Sequence, residues 1–272
     1  MKAIDFGVGR VLSLPEVDSS ELENAWALWS AALRKTPTSP VLRPIQGEIL
    51  EWLHRLPPPF GVFANAGVGV GKSLVVLLAG HVAGAKRPVA LVPPGLESEM
   101  QHQMEVWQEH YPVVMPTILP YSRLSRPEGA EALDRLQPDL LICDEVQNLR
   151  HGTSARTKRF RRYLIDQERA GRHVRVVAMS GTMTDGDFSD MAYTLVAALR
   201  HKAPVPLKKG EQDVWSAVID PDGVPAPHEE AALLPLLEWS GEDDWEKAFH
   251  KRLRVTEGVV LSIEQSVDIP RS

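Results

Sequence analysis

The segment from Ala66 to Ser73 reads AGVGVGKS and combines three glycines with a lysine and a serine. Backbone N–H groups of such a loop can surround a polyphosphate, and glycine permits the positive φ angles and close backbone approach that this requires. The Lys72 ammonium would neutralise the outer phosphates, and the Ser73 hydroxyl would ligate Mg²⁺. We therefore predict a nucleotide-phosphate site formed by Gly67, Val68, Gly69, Val70, Gly71, Lys72 and Ser73.

The residues on either side of this loop favour the phosphate-binding interpretation. Residues 61–64 read GVFA, as in a strand, and residues 74–79 form an apolar run that suits a buried helix. A loop between a strand and a helix places its N–H groups at the helix N-terminus, which attracts anions. The alternative is a glycine-rich surface turn that carries an exposed lysine.

A second pattern could supply the remaining chemistry of a hydrolytic site. Residues 139–143 read DLLIC, as in a buried strand, and Asp144 and Glu145 follow directly. Asp144 at the tip of the strand would lie near Ser73 and the metal, and Glu145 would orient and deprotonate the attacking water. The alternative is a strand that simply ends in an acidic turn.

Strand-like and helix-like segments alternate between residues 60 and 200, which predicts an α/β fold with a mostly parallel sheet flanked by helices. In such sheets, ligands bind at the carboxyl ends of the strands. We divide the chain into a helical N-terminal part (1–39), the α/β domain (40–202) and a mostly helical extension (203–272). The predicted strands are 61–65, 88–92, 113–119, 139–143 and 174–179, with a further short one at 259–261.

Composition narrows the class of protein. The chain has 272 residues, 43% of them hydrophobic, and its single cysteine excludes a disulfide framework and fits a reducing compartment. No apolar run is as long as a membrane span, and the N-terminus lacks a signal-peptide core, so we expect a cytoplasmic protein. A net charge of −6 argues against a non-specific polycation but allows local contacts with nucleic acid.

Residues 144–147 (DEVQ) resemble the second motif of superfamily 2 helicases and translocases, and four other patterns occur in the order of that family. Residues 42–46 (LRPIQ) resemble its adenine-reading motif, and residues 180–182 (SGT) resemble the motif that couples hydrolysis to movement. Residues 91–94 (LVPP) and 121–124 (YSRL) resemble motifs that contact a nucleic-acid strand. The similarity is greatest to duplex translocases of the chromatin-remodeller or restriction-enzyme kind, including phage-encoded relatives.

The resemblance implies a RecA-like N-terminal motor domain that binds ATP and Mg²⁺, with nucleic acid, most simply DNA, as its partner. Gln46 would hydrogen-bond the adenine with Arg43 nearby, and Lys72, Asp144, Glu145 and Gln147 would form the catalytic set. Ser73 would ligate the metal and Asp144 would contact its water shell, while Gln147 would sense the γ-phosphate. The coupling residues would be Ser180, Gly181 and Thr182, and the nucleic-acid contacts Pro93, Pro94, Tyr121 and Ser122.

The minor elements also allow simpler interpretations. Gln46 and Gln147 could be exposed polar residues, the prolines could only end a strand, and residues 180–182 could be a tight turn. The basic run at residues 156–162 (RTKRFRR) surrounds an apolar helical stripe, which favours a solvated outer face; a DNA-contacting stripe is the alternative.

The chain departs from the family pattern in one respect. Superfamily 2 motors place a second RecA-like domain, with an arginine finger, across the ATP, whereas after residue 200 this chain has only Arg252, Arg254 and Arg271. We therefore expect ATP binding with weak hydrolysis until a second domain is supplied in cis or in trans. On this reading we expect the chain to be either a fragment or a half-motor that a partner completes. The main alternative is a nucleotide-binding interaction module or switch without translocation, and a third is another phosphate-loop ATPase of the AAA+ kind.

Overall fold

The structure, a computed structural model, describes residues 5–67, 69–181 and 188–262. Within these ranges, six strands form one sheet in the order β3-β2-β4-β5-β1-β6, and all neighbours are parallel. The predicted fold class, an α/β fold with a mostly parallel sheet flanked by helices, is confirmed. The strands are β1 (Val62–Asn65), β2 (Pro88–Val92), β3 (Thr117–Pro120), β4 (Leu140–Cys143), β5 (Arg175–Ser180) and β6 (Val259–Leu261).

Helices connect and flank these strands. None of the helices in the described ranges has the length and apolar character needed to cross a membrane. Short 3₁₀ segments include Val146–Leu149 after β4 and Arg200–Lys202 after the ninth helix. The α-helices are α1 (Val8–Leu12), α2 (Ala25–Leu33), α3 (Pro44–Arg55), α4 (Lys72–Val82), α5 (Glu97–Trp107), α6 (Tyr121–Ser125), α7 (Ala132–Leu136), α8 (Ala155–Arg169), α9 (Phe188–Leu199), α10 (Lys209–Ile219), α11 (Pro227–Ser240) and α12 (Trp245–Arg254).

The third strand is shorter than its apolar sequence predicts. The pattern predicts a strand from residue 113, whereas β3 begins at Thr117, directly after Pro116. Proline has no N–H to donate to a ladder, so pairing with β2 starts at the residue that follows it. Val114 instead lies beside Gly80 of α4, where a Cβ on the glycine would approach Val114 Cβ to 3.2 Å.

Successive side chains of the central strands point to opposite faces of the sheet, and the core therefore forms two clusters, one on each face. Leu140 and Ile142 belong to one cluster, while Leu141 and Cys143 belong to the other, and all four side chains are buried. Successive strand side chains point to opposite faces, so a strand that is apolar at every position must be covered on both sides. This explains why β4 reads as a continuous apolar run.

The segment beyond residue 202 is joined to the sheet by β6, which pairs in parallel with β1. Helices α10 and α12 pack around Phe188 of α9, whose ring centroid lies 5.6 Å from that of Trp215 and 5.0 Å from that of Phe249. At the other end of the chain, α2 crosses α3 so closely that a Cβ on Gly47 would lie 2.3 Å from the Trp26 backbone. The boundaries 1–39, 40–202 and 203–272 remain predictions.

The strand order decides which loops meet. Because β5 lies between β4 and β1, and all three run parallel, the residues that follow them emerge at the same edge of the sheet. These residues are Asp144 after β4, Gly181 after β5 and Ala66 after β1. The Ala66 N–H donates to the Ser180 carbonyl at 2.8 Å, which holds two of the three loops together.

Candidate nucleotide-binding site

The predicted phosphate loop joins β1 to the N-terminus of α4. Gly69 and Gly71 have φ angles of +79° and +80°, which residues with a Cβ adopt only with strain. Gly71 is the residue that precedes α4; no side chain caps this end, and no acidic residue lies in the first turn. The backbone N–H groups in the first turn of α4 are therefore well placed to bind an anion. Gly67, Val70 and Ser73 are partly exposed, and Val68 lies outside the described residues.

Gln46 and Arg43, predicted to lie at the adenine, both contact the phosphate loop. The buried Gln46 amide donates to the carbonyls of Val70 at 3.1 Å and Gly71 at 2.8 Å, and its oxygen accepts the Arg43 N–H at 2.8 Å. The Arg43 guanidinium donates to the Gly69 carbonyl. The start of α3 thus fixes the shape of the loop, which the sequence did not lead us to expect, and adenine recognition by Gln46 stays a prediction.

Lys72 bridges the loop to the acidic residues after β4. Its Nζ lies 2.9 Å from Glu145 Oε1 and donates to the Ala66 carbonyl at 3.2 Å. The Lys72 side chain is only 10% exposed, so this ion pair is largely shielded from water. The residue predicted to bind phosphate and the residue predicted to act as base are therefore direct partners.

Glu145 is held by several donors in a conformation that is unusual for a residue with a side chain. Its φ is +52°, in the left-handed region that costs a non-glycine residue about 1–2 kcal/mol. Its Oε2 accepts hydrogen bonds from Gln147 Nε2 at 2.8 Å and from the Gly181 N–H at 3.3 Å. Burial raises the pKa of Glu145, but hydrogen bonds from Gln147 and Lys72 and the charge of Lys72 outweigh it, so the net pKa is lowered. The carboxylate is thus held ionised.

The predicted coupling residues lie next to this carboxylate. Ser180 Oγ donates to Gln147 Oε1 at 2.8 Å, which is the bridge that the sequence suggested between the two motifs. Ser180 is buried at the end of β5, opposite Asn65 of β1. Gln147 therefore contacts Glu145 with one end of its amide and Ser180 with the other. Thr182 lies outside the described residues.

Asp144 offers a carboxylate that suits a cation. It is 7% exposed, its N–H donates to the Leu91 carbonyl at 2.9 Å, and Oδ1 has no hydrogen-bond partner in the part of the chain that the structure describes. Burial and, secondarily, the charge of Glu145 raise the pKa of Asp144 to about 6, an effect that Lys72 partly offsets. A buried carboxylate oxygen without a partner is costly unless a cation or water compensates it.

A single buried carboxylate such as Asp144 suits Mg²⁺, which takes few of its ligands from the protein. No group of three or more histidines, cysteines and carboxylates that could hold a metal occurs in residues 5–67, 69–181 and 188–262. Mg²⁺ is usually held by one or two protein oxygens together with substrate phosphates and water. Ser73 and Asp144 would supply the protein oxygens here.

The residues predicted to contact nucleic acid differ in accessibility. Pro94 is exposed at the carboxyl end of β2, and Pro93 and Ser122 are partly exposed. Tyr121 departs from the expectation: its side chain is fully buried beside Cys143 and Asp144, and burial raises the pKa of its hydroxyl well above the ordinary value. Its side chain packs in the same core cluster as Leu119 and Leu124 and is not exposed to a strand bound at the surface.

The sequence analysis did not identify Arg175, a residue that supports the phosphate loop indirectly through helix α3. Arg175 of β5 is buried, and its guanidinium donates to the carbonyls of Phe60 at 2.8 Å and Leu56 at 3.0 Å and also to that of Leu53. It thus secures the C-terminal end of α3, whose N-terminus holds the phosphate loop. Burial lowers the pKa of Arg175 to about 10. Its position in an otherwise apolar strand could have indicated this role, because a buried charge requires hydrogen-bond partners.

Comparisons with known proteins support the fold more than the chemistry. No family model matches the chain, and no curated protein matches it. Among solved structures, it is similar to the Sulfolobus solfataricus SWI2/SNF2 ATPase core in complex with dsDNA, with a TM-score of 0.52 and 16% sequence identity. The match covers 71% of this chain and 43% of that chain, so the chain corresponds to less than half of the ATPase core. At this identity the likeness shows a shared fold.

Proposed function

We propose that this chain is the first motor domain of an ATP-dependent nucleic-acid helicase or translocase, which hydrolyses ATP with Mg²⁺ to move on DNA. One observation carries the proposal: Lys72, Glu145, Gln147 and Ser180 form a continuous chain of polar contacts between the phosphate loop and the ends of β4 and β5. A fold shared with a SWI2/SNF2 ATPase core bound to dsDNA supports it.

Each residue of this chain of contacts has a role in the proposed reaction. Lys72 and the uncapped N-terminus of α4 would hold the phosphates, and Gln46 would position the loop and meet the adenine with Arg43. Bound Mg²⁺ would neutralise charge on the phosphates, with Ser73 and Asp144 as its protein partners. Glu145, once released from Lys72, would accept a proton from the attacking water. Before that release, the hydrogen bonds from Gln147 and Lys72 and the charge of Lys72 hold the pKa of Glu145 below its ordinary value.

The contact between Gln147 and Ser180 would couple hydrolysis to movement. A change at the γ-phosphate that displaces Glu145 must also disturb Gln147, because the two side chains are hydrogen-bonded at 2.8 Å. Gln147 would pass that change to Ser180 and Gly181 at the end of β5. Nucleic acid would lie along Pro93, Pro94 and Ser122, which follow the carboxyl ends of β2 and β3.

Of the two arginines that the structure describes after residue 202, Arg254 is exposed and Arg252 is held inside the fold. Arg252 is fully buried, and its Nε and Nη2 donate to the carbonyls of Val11 at 3.1 Å and Leu14 at 2.8 Å. We therefore propose that a second RecA-like domain, in cis or in trans, supplies the finger. Such arginines contribute about 10³–10⁵ in turnover.

The rival proposal is a nucleotide-binding switch without translocation, and the ion pair itself favours it. Glu145 is paired with Lys72 at 2.9 Å, and a nucleotide that left this pair intact would be bound without being hydrolysed. In that case ATP would act through the contacts of Gln147 and Ser180 alone.

The two proposals differ in how turnover responds to nucleic acid. We would measure ATP hydrolysis with and without duplex and single-stranded DNA and RNA, alone and with an added second RecA-like domain, and use Lys72→Ala as the inactive control. The motor proposal predicts stimulation by nucleic acid, and Ser180→Ala should keep ATP binding but lose that stimulation. Tight ATP binding without stimulation in any of these mixtures would favour the switch.

A further inference from the structure

The segment from Val146 to Ile165 carries a concentration of positive charge in an otherwise acidic chain. It contains six arginines and lysines and no aspartate or glutamate, whereas the whole chain has a net charge of −6. The segment comprises the 3₁₀ turn after β4 and the first eleven residues of α8. We call it the α8 basic surface, and its cations are Arg150, Arg156, Lys158, Arg159, Arg161 and Arg162.

The cations of α8 cover the side of the helix that faces away from the sheet. Phe160, Tyr163 and Leu164 are buried in the core and mark the inner face. Lys158, Arg161 and Arg162 are exposed and lie three and four residues apart, which places them on one outer face of the helix. The exposed cations of the basic run at residues 156–162 therefore form one positively charged face of α8.

Two arginines at the edge of this surface fix the neighbouring segment to α8. Arg159 Nη1 donates to the carbonyls of Leu124 and Arg126, both at 2.6 Å, and Arg162 Nη2 donates to the Ala130 carbonyl at 3.1 Å. Because backbone carbonyls are uncharged, these hydrogen bonds do not neutralise the positive charge of the arginines. The exposed Arg123 and Arg126 of the α6 segment are thereby held next to α8, directly after the Ser122 position.

Nearly all of this charge lacks a compensating carboxylate. In the described ranges, Arg162 pairs with Asp134 at 3.0 Å, and no carboxylate lies within ion-pair distance of the other five cations of the surface. Arg156 and Lys158 also lie in the first turn of α8, where the helix dipole favours anions, and that turn has no acidic residue. A bound polyanion would offset both effects.

We propose that the α8 basic surface is a second docking site for the phosphodiester backbone of duplex DNA, in addition to the proposed contacts at Pro94 and Ser122. Exposed arginines and lysines on a helix bind phosphates without reading sequence, and they release condensed counterions when they do so. This inference rests on the proposed nucleic-acid partner but not on ATP hydrolysis, so the two can fail separately.

The test measures binding of the nucleotide-free chain to a fluorescein-labelled DNA duplex by anisotropy over a range of salt. The variant Lys158→Gln/Arg161→Gln removes two exposed charges, and Lys208→Gln/Lys209→Gln removes two charges from the start of α10, where the side chains are 81% and 69% exposed. Arg161 also lies 5.3 Å from the Tyr193 ring, so Arg161→Lys, which keeps the charge, controls for lost stacking.

We expect the α8 variant to bind duplex at least about tenfold more weakly at about 0.1 M salt, with a slope of log affinity against log salt that is shallower by about 1.8. The α10 variant and Arg161→Lys should bind like the unaltered chain. Equal binding by the α8 and α10 variants overturns the inference and leaves the proposed motor function standing if the unaltered chain still binds DNA. A loss of binding to anionic lipid vesicles with unchanged duplex binding also overturns it.

Discussion

Lys72 Nζ and Glu145 Oε1 lie 2.9 Å apart. The lysine that we predict to bind phosphate and the carboxylate that we predict to activate water are therefore paired with each other. The pair spans two strands that are not neighbours in the sheet, because β5 separates β4 from β1. A polyphosphate on the loop would compete for the same ammonium and would release Glu145 as it binds. In the proposed motor, filling the site and exposing the base are therefore one event.

Glu145→Gln tests whether this carboxylate is the base. We expect turnover to fall by about 10²–10⁴, since a general base contributes about that much. ATP affinity should stay the same or rise, because Lys72 no longer has to leave an anionic partner. The measurements are steady-state hydrolysis and equilibrium binding of a fluorescent ATP analogue.

The matched control for that variant is Glu257→Gln, which removes another paired carboxylate whose exposure is close to the 27% of Glu145. Glu257 Oε2 lies 2.7 Å from Lys202 Nζ, and the two side chains are 31% and 29% exposed. Turnover should not change in this control. If Glu145→Gln lost ATP binding as completely as turnover, the base assignment would be wrong.

Asp144 predicts a dependence of Mg²⁺ binding on pH. Burial raises its folded pKa to about 6 from an ordinary value near 3.8, so protonation stabilises the metal-free fold. That stabilisation is fully present below pH 3.8 and is lost as pH rises through about 6. The ionised form suits the metal, and thermal stabilisation by Mg²⁺ and nucleotide should therefore weaken as pH falls through 6. Melting curves between about pH 5 and 8 measure this.

Asp144→Asn separates this effect from other titrations. It should remove the pH step in Mg²⁺-dependent stabilisation and should make the metal-free protein more stable at pH 8, because position 144 no longer carries a buried charge. The exposed Asp243→Asn is the control and should leave the step intact. An unchanged step in Asp144→Asn would refute Asp144 as the metal's partner.

Gly71→Ala tests the fit between α3 and the phosphate loop. The φ angle of +80° strains any L-residue, and a Cβ would lie 2.5 Å from Gln46 Nε2. Gly171 has a similar φ of +67° with open space around it, so Gly171→Ala carries the backbone strain without the clash. We expect Gly171→Ala to lower the free energy of unfolding by about 1–2 kcal/mol and Gly71→Ala to lower it further.

The ligand response distinguishes the two glycine variants. Gly71→Ala should weaken nucleotide binding, because Gln46 must give up its contacts with the loop, whereas Gly171→Ala should not. Chemical denaturation and nucleotide titration measure the two quantities. Similar values for both variants would show that the contact with Gln46 does not matter.

Arg252→Leu tests whether this arginine is structural. Its side chain is 0% exposed and holds the carbonyls of Val11 and Leu14 at the end of α1. Its loss should lower the free energy of unfolding by about 2–4 kcal/mol, because one buried and one partly buried carbonyl lose their donor. Arg254→Leu, two residues away and exposed, should change it by less than about 0.5 kcal/mol. A folded Arg252→Leu protein that binds ATP normally but loses second-domain stimulation would instead identify a finger.

Much of the fold could be predicted from local pattern. Largely apolar runs located all six strands, most clearly β2 and β4, which are buried at every position on both faces of the sheet. The ends of the strands were less certain, as β3 shows, where Pro116 delays the start of pairing. The burial of Tyr121 could not be predicted from its motif, since exposure depends on what the next layer covers.

The amino-acid sequence by itself determined the chemical groups of the candidate site: glycines that reach positive φ, a lysine and serine at a helix start, and two carboxylates after a buried strand. These features are local, because backbone conformation and side-chain type act within a few residues. Only the tertiary structure decided that Lys72 binds Glu145, that Gln46 holds the loop, and that Arg175 and Arg252 are buried supports. Those contacts join residues far apart in the chain, and the strand order brings them together.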